Sequence, residues 1–366
     1  MQSLSRWPSL AIGALHLRHP ILQGGMGVGI SMAGLASAVA REGGAGTIAT
    51  AGIGFGERDL ASNFLEANRR SLRRTIREAR SRGDGVLGVN IMAALTNFDD
   101  LARTAIEEGI DFIASGAGLP LNLPALRPTG TRTALIPIVS SARAAAILTR
   151  RWRERFDCLP DALVVEGPLA GGHLGFRPED LANPALSLDR LLADVRAHLE
   201  PLEQRYGQRV PVIAAGGIYT GGDIRRFLEL GADGVQMATR FVTTEECDAS
   251  PAFKQAYLDA REEDGVIIRS PVGLPGRALR NAFTEAVGRG QRVPFRCAYH
   301  CIRTCDVENS PYCIARVLLN AREGNFRRGF AFAGANAWRA TEIVPVHALF
   351  ETLAREYAES AESAPA

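Results

Sequence analysis

The sequence predicts an α/β fold, a (β/α)8 TIM barrel that is followed by a Cys-rich, mostly helical extension. Eight short apolar runs recur along the 366 residues, each ends in small residues, and most intervals between them suit one amphipathic helix. Such runs, without alternating polar residues, are typical of parallel strands that are buried on both faces. The runs are PILQGGM (20–26), GAGTIATAG (44–52), VLGVNIM (86–92), FIASGAG (112–118), ALIPIVSS (134–141), ALVVEGP (162–168), PVIAAGG (211–217) and GVQMATRF (234–241).

A repeated plan of helix and following strand supports the same fold. LARTAIEEGIDFI (101–113) and IRRFLELGADGVQM (224–237) each contain a helical segment, a glycine that can end the helix in the left-handed conformation, and an acidic residue before the strand. Such units predict a barrel that ends near residue 241 or in the helix just after it. The rival fold is an open doubly wound sheet with GGMGVGI (24–30) as its dinucleotide fingerprint, but Ile30 stands where that fingerprint needs its third glycine.

These patterns place the barrel in residues 1–290 and the extension, packed on the barrel, in residues 291–366. Two intervals between runs, 53–85 and 169–210, are long. They follow the second and sixth runs, and segments that follow barrel strands lie on the catalytic face.

The composition excludes several classes of protein. With 46% hydrophobic residues, 22% charged residues and a formal net charge of +2, the chain is typical of a globular protein. Its basic residues are scattered and almost all are Arg, which argues against a nucleic-acid partner. No apolar stretch is long enough for a membrane span and the first residues lack the pattern of a signal peptide, so we expect a cytoplasmic protein without a membrane partner. The oligomeric state stays open, a homodimer included.

Small residues after the seventh and eighth runs predict a phosphate site. In barrels, the loops after these two strands commonly bind phosphate, because a chain with small side chains can turn its N–H groups toward an anion. The alternative is a pair of tight turns without a ligand. The predicted donors are Gly216, Gly217, Ala238 and Thr239.

A single imidazole lies in the glycine-rich segment EGPLAGGHLGF (166–176). The ordinary pKa of histidine, about 6.5, makes His173 a candidate acid–base group. The alternative is a surface histidine bonded to a carbonyl. Asn90, at the end of the third run, offers both a donor and an acceptor to a ligand, or else bonds to its own loop.

The segments PILQGGMG, GVNIM, EGPLAGGHLGF, PVIAAGGI and GVQMATRF, in this order, resemble the nitronate monooxygenase (2-nitropropane dioxygenase) family and its relative, the flavin-type enoyl-ACP reductase. The likeness covers roughly residues 18–290 and implies an FMN-binding barrel with the flavin phosphate on the two turns described above. The ring system is expected near the barrel mouth. The cofactor-binding residues it implies, besides the four phosphate donors, are Gly25, Met26, Asn90, Glu166, Gly171, Gly172 and Gln236.

The resemblance also implies a reaction. His173 would be the general base that takes the α-proton of a nitroalkane, so we expect an FMN-dependent oxidoreductase that oxidises an alkyl nitronate or a similar activated small molecule. The alternative is an NAD(P)H-dependent flavin reductase or enoyl/ene reductase in which an iron–sulfur cluster relays electrons to FMN. NAD(P)H or an electron-transfer protein would then be a further partner. A metal-dependent or carboxylate-driven isomerase and a non-catalytic flavin-binding protein stay open. A Schiff-base aldolase is excluded, because no lysine precedes Lys254.

Four cysteines crowd into 17 residues with the spacing C-x3-C-x3-C-x7-C. In a reducing compartment such crowding favours a metal over disulfides, and four thiolates are the usual ligands of a [4Fe–4S] cluster. Zinc is the alternative, although its cysteines usually come in pairs with a longer spacer between them. Free thiols are the third possibility. The predicted ligands are Cys297, Cys301, Cys305 and Cys313.

Overall fold

The computed structural model describes residues 7–362. Its strands are β1 (Leu10–Ile12), β2 (Leu15–Leu17), β3 (Ile21–Gln23), β4 (Ala45–Ala49), β5 (Val86–Met92), β6 (Phe112–Gly116), β7 (Ala134–Val139), β8 (Leu163–Glu166), β9 (Gly172–His173), β10 (Val212–Ala215), β11 (Gly234–Met237), β12 (Gly265–Arg269) and β13 (Pro275–Leu279). Its helices are α1 (Ala33–Arg41), α2 (Phe64–Ser81), α3 (Phe98–Glu107), α4 (Ala142–Phe156), α5 (Leu188–Tyr206), α6 (Gly221–Glu229), α7 (Thr239–Val242), α8 (Pro251–Leu258), α9 (Ala282–Gly288), α10 (Ile314–Arg322) and α11 (Val346–Glu362).

The predicted barrel is confirmed. Eight parallel strands form a closed ring in the order β10-β11-β3-β4-β5-β6-β7-β8, and each of the eight predicted runs contains one of them. The ring closes because β10 pairs with both β8 and β11, and β11 pairs with β3. Strands β4, β6 and β10 are buried along their whole length, as strands covered on both faces must be.

A short hairpin covers the N-terminal end of the barrel. Strands β1 and β2 pair antiparallel, and Leu10, Ile12 and Leu17 belong to the same buried cluster as the residues that fill the barrel interior. Phe112 occupies the space above Gly88, where a Cβ would lie 2.2 Å from its ring. With this end filled by apolar side chains, only the carboxyl end of the barrel is open to a ligand.

A second, smaller sheet lies beside the open end. Strands β12 and β13 form an antiparallel hairpin, and β13 also pairs with the two-residue strand β9 in the loop that follows β8. The hairpin holds this long loop against the barrel mouth. Helix α5 begins later in the same interval and returns the chain to β10.

The C-terminal residues contribute to the outer ring of helices. The predicted boundary at residue 290 falls just after α9, and the chain from there to Cys313, which carries the clustered cysteines, is irregular. Helix α11 packs mainly against α6 and also against α1. The last helix of the described chain therefore closes the ring between the seventh and first helical positions. Within residues 7–361, no helix is long and apolar enough to cross a membrane.

The contact between α6 and α11 can be tested with two adjacent glycines. Replacement of Gly221 by Ala would place a Cβ 2.1 Å from the Leu353 carbonyl oxygen and 2.3 Å from the Tyr357 nitrogen. We expect Gly221→Ala to lower the free energy of unfolding by about 1–3 kcal/mol, because α11 must shift. Urea denaturation measures the change.

Gly222→Ala is the matched control. The nearest atom to its new Cβ would be the Ser360 Cβ at 3.6 Å, an ordinary contact. This variant should be as stable as the parent or slightly more stable, because alanine favours helix over glycine. Equal urea midpoints for the two variants would contradict the tight packing of α6 against α11.

Candidate active site

One cavity, of about 270 Å³, opens at the carboxyl ends of the barrel strands. The structure brings together in its wall all the residues that the sequence predicted for the catalytic and cofactor sites, although they come from five separate segments of the chain. They are Gly25, Met26, Asn90, Glu166, Gly171, Gly172, His173, Gly216, Gly217, Gln236, Ala238 and Thr239. Their roles stay predictions, since their shared position does not identify a ligand.

Glycines bring backbone close to backbone around this cavity. A Cβ on Gly25 would lie 2.3 Å from the Asn90 Cβ, and a Cβ on Gly171 would lie 2.5 Å from the Gly334 nitrogen. Gly216 and Gly217 have φ of +95° and +86°, a region that L side chains rarely adopt. Larger residues at these positions would displace the walls or fill the cavity, so the glycines leave room for a flat ligand.

Three polar side chains face the cavity from strand ends. Asn90, Glu166 and Gln236 lie in its wall, and none of the three side chains hydrogen-bonds to another residue of the described chain. The Asn90 carbonyl oxygen accepts from both the N–H and the hydroxyl of Thr50, so the backbone of Asn90, and not its amide group, holds the loop. Burial raises the pKa of Glu166 to about 7. This carboxyl is therefore largely protonated in slightly acidic solution and can donate a hydrogen bond.

His173 is positioned by the small sheet. It lies on β9 opposite Gly276 of β13, and its Nε2 is 2.7 Å from the Ser270 hydroxyl. The edge of the ring meets Phe332, with 4.9 Å between ring centroids. Burial lowers the pKa of His173 to about 4, so the imidazole is neutral at pH 7. A neutral imidazole can accept a proton, which fits a general base better than a general acid.

The predicted phosphate turns are closed by a segment that the sequence did not assign to the site. The Gly334 N–H donates to the Thr239 hydroxyl at 3.1 Å, and the Asn336 amide donates to the Gly217 carbonyl oxygen at 2.6 Å. Ala331 to Gly334 also line the cavity. The small residues in FAGAN (332–336) could have indicated that this segment packs on the turns, because small residues allow such close approach.

Sequence reasoning missed two further polar groups. Ser270 is at the end of β12, and its hydroxyl accepts from the Val272 N–H at 3.3 Å in addition to its contact with His173. Tyr257, on α8, lines the cavity and donates to the Phe332 carbonyl oxygen, and burial raises its pKa. The segment VIIRSPVGLPGRAL (266–279) could have predicted the hairpin that carries Ser270, because two apolar runs flank a turn with Pro and Gly.

The structure does not support the predicted iron–sulfur cluster or its zinc alternative. Across the part of the chain that the structure describes, no three His, Cys, Asp or Glu side chains are grouped so that they could hold a metal ion. All six cysteines are free thiols. The Cys297 sulfur accepts from the His300 N–H at 3.2 Å, and the Cys305 sulfur lies 3.8 Å from the Ser310 hydroxyl, so these thiols contact their own turns. Burial, with the neighbouring thiols, raises the pKa of Cys301 to about 12.

Known proteins resemble this chain over most of its length. A family model described as nitronate monooxygenase matches residues 9–356. A nitronate monooxygenase of Pseudomonas aeruginosa is 31% identical over 322 residues, which cover 77% of this chain and 84% of the relative. The (3aS,4S,5R,7aS)-5-hydroxy-7a-methyl-1-oxo-octahydro-1H-indene-4-carboxyl-CoA dehydrogenase of Mycobacterium tuberculosis is 30% identical over 277 residues, which cover 76% of this chain and 67% of the relative.

Solved structures show the same architecture. FabK from Thermotoga maritima superposes with a TM-score of 0.72 at 30% identity, and the match covers 94% of each chain. The nitroalkane oxidase from Streptomyces ansochromogenes superposes with a TM-score of 0.73 at 23% identity, over 95% of this chain and 98% of the other, and this likeness concerns the fold alone.

The raised pKa of Glu166 predicts a pH-dependent stability. In the unfolded chain its pKa is near 4.5, and in the folded protein it is about 7, so the stability that the protonated group contributes is present below pH 4.5 and is lost as the pH rises to 7. Glu166→Gln cannot ionise. In the ligand-free protein, we expect the unfolding free energy of the variant, relative to that of the parent, to rise by roughly 2–3 kcal/mol as the pH increases from 5 to 8.

Urea denaturation of both proteins at several pH values measures this difference. Asp84→Asn is the control, because Asp84 is an exposed carboxylate in the loop before β5. A difference between parent and Glu166→Gln that does not change with pH would contradict a buried carboxyl with a raised pKa.

Proposed function

The chain belongs to the nitronate monooxygenase family and is an oxidoreductase, and from this premise we propose that it uses FMN to oxidise an alkyl nitronate or a similar activated small molecule, with His173 as the proton-transfer group. The observation that carries the proposal is the neutral His173, which is held against Ser270 in the wall of the glycine-lined cavity. A base that faces a cavity shaped for a flat ligand is the arrangement that coupled proton and electron transfer requires.

The residues of the cavity fit a flavin mononucleotide. Gly25 and Gly171 add no side chains to the cavity wall where a planar ring would lie, and the amides of Asn90 and Gln236 have no partner among the described residues. The turns at Gly216–Gly217 and Ala238–Thr239 offer N–H groups to a phosphate. When bound, FMN would supply a two-electron acceptor or donor. The binding residues are therefore proposed as the sequence predicted them, with residues 332–336 as a further wall.

His173 and Ser270 together define the proton acceptor. Ser270 already accepts from the Val272 N–H, and in the tautomer that we assign it also accepts from Nε2–H of His173. This tautomer leaves the lone pair on Nδ1 of His173. When the substrate arrives as the neutral nitroalkane, Nδ1 can take the proton from the carbon beside the nitro group and so form the nitronate that is then oxidised. Burial keeps the imidazole neutral until substrate arrives. Ser270 acts here as a positioning residue.

A second candidate function is a reductase that acts on an enoyl substrate with NAD(P)H as the donor. The likeness to FabK, at 30% identity over 94% of each chain, supports it. The iron–sulfur relay that the sequence suggested for this alternative is not part of the proposal, because the described chain contains no group of ligands for it. The two candidates share the cavity and differ in the reagent that reduces the cofactor.

The first prediction from the proposal concerns the cofactor and its reductant. We expect the purified protein to release FMN on heating, because the proposed site holds the phosphate through N–H groups and not through a covalent bond, and mass spectrometry identifies the released compound. In anaerobic stopped-flow mixing, alkyl nitronates should bleach the flavin. Bleaching by NADH or NADPH alone would support the reductase, and FAD or no flavin at all would contradict both candidates.

The second prediction concerns His173. His173→Ala should retain FMN but lower turnover by about 10²- to 10⁴-fold, which is typical of a lost acid–base group. Ser270→Ala should lower turnover less and should move the acid limb of the pH profile, because the imidazole loses its hydrogen bond to the Ser270 hydroxyl. Steady-state rates with the best neutral nitroalkane or enone measure both effects, because a nitronate has already lost the proton that His173 would take.

His16→Ala is the matched control, since His16 is an exposed histidine on β2 at the closed end of the barrel. Flavin content should be equal in all three variants and the parent. If His173→Ala turns over at the parental rate, His173 is not the proton-transfer group and the proposed mechanism is wrong.

A further inference from the structure

A second cavity, of about 60 Å³, adjoins the first at His173. It lies between the start of α2 and the Cys-rich chain, and its described lining includes no Asp, Glu, Lys or Arg. His173 and Leu318 line both cavities, so the two spaces meet beside the proposed base. Its apolar walls include Phe55, Leu60, Phe64, Leu95, Ile302 and Ile314.

Two of the polar residues that line this second cavity, Asn68 and Thr50, already have partners within the chain. The Asn68 Oδ1 accepts from the Gly54 N–H at 3.2 Å, and its Nδ2 donates to the Phe64 carbonyl oxygen at 2.6 Å. The Thr50 hydroxyl donates to the Asn90 carbonyl oxygen at 2.9 Å. At these two residues a polar ligand would gain few hydrogen bonds, and most of the remaining wall is apolar, which favours an apolar ligand.

Residues 299–304, which we call the roof segment, cover the second cavity from the Cys-rich side. Tyr299 stacks on Phe64 with ring centroids 4.6 Å apart and an interplanar angle of 10°. Cys301 also lines the cavity, and a buried neutral thiol behaves as a small apolar group. This wall is therefore apolar even where the chain is rich in cysteine.

Backbone hydrogen bonds hold the roof segment in place on the loop after β5. The Thr96 N–H donates to the Cys301 carbonyl oxygen at 3.1 Å, and the Arg303 N–H donates to the Ala94 carbonyl oxygen at 2.9 Å. On its other side, the Thr304 hydroxyl donates to the Val272 carbonyl oxygen at 2.7 Å. The second cavity is thus bounded by fixed chain on both sides, and one anchor belongs to the turn that also positions Ser270.

We propose that the second cavity is a subsite for an apolar alkyl substituent on the reacting carbon of the substrate. A group attached to a carbon at His173 enters this cavity directly, because His173 lies where the two spaces meet. Since a water molecule occupies about 30 Å³ in the liquid, the cavity has room for about two or three carbon atoms. The alkyl class of substrate rests on the proposed function, whereas the apolar subsite itself does not.

A chain-length series tests the subsite in the FMN-loaded enzyme. For nitronates from nitroethane to nitrohexane, kcat/KM should rise about three- to fourfold with each methylene that enters the cavity and then level off. Ile302→Phe fills the cavity, so the ratio of kcat/KM for the pentyl and ethyl substrates should fall towards one. Leu60→Phe, from the opposite wall, should have the same effect and covers the case in which one variant fails to fold.

Leu65→Phe is the matched control. Leu65 is adjacent to Phe64 on α2 but is 49% exposed and lies outside the cavity lining, so this variant should keep the parental chain-length ratio. A parental series with no chain-length dependence, or a ratio that Ile302→Phe and Leu60→Phe leave unchanged, would overturn the subsite.

A measurement without turnover separates this inference from the proposed function. In saturation-transfer NMR with n-pentanol, the terminal methyl group should receive saturation from the parent and from Leu65→Phe but much less from Ile302→Phe. If the alcohol binds in this way and no nitronate is oxidised, the subsite stands and the proposed function fails. If nitronates are oxidised but the alcohol does not bind, or binds equally to all variants, the subsite is wrong and the proposed function stands.

Discussion

Closure of eight parallel strands into a ring brings strand ends that are far apart in the chain to one rim. Asn90, Glu166 and Gln236 lie at or near the carboxyl ends of three of these strands, and the ring places their side chains around a single cavity. The hairpin of β1 and β2 fills the opposite end with leucine and isoleucine side chains. Everything proposed for the site depends on this closure, because no short segment of the chain contains more than a few of its residues.

The pairing of β9 with β13 determines the chemical properties of His173. On its loop, His173 would have an ordinary pKa, but its pairing with β13 buries it and places Ser270 against its Nε2. Glu166, a few residues earlier, is shifted in the opposite sense by the same physical cause, because burial disfavours the charged form of both groups. The cavity therefore presents a neutral base to a ligand at pH 7, together with a carboxyl group that is largely protonated in slightly acidic solution.

The C-terminal chain packs on the barrel in three places. Helix α11 closes the outer ring against α6 and α1, residues 332–336 cover the predicted phosphate turns, and the roof segment covers the second cavity. The cysteine spacing indicated a metal, whereas the structure makes one of these cysteines part of an apolar wall. The spacing of cysteines along a chain cannot distinguish a metal site from an apolar wall, because it does not determine which way each thiol faces.

The sequence by itself determined the barrel and the residues at its mouth. Apolar runs that end in glycine or alanine depend on local properties, namely burial on both faces and the conformational freedom of small residues, and these are readable along the chain. Only the tertiary structure decided that Ser270 meets His173, that Gly334 meets Thr239, and that Ile302 covers a cavity beside the base. Each of these contacts joins residues at least 90 positions apart, and such pairs arise from packing, which no local pattern encodes.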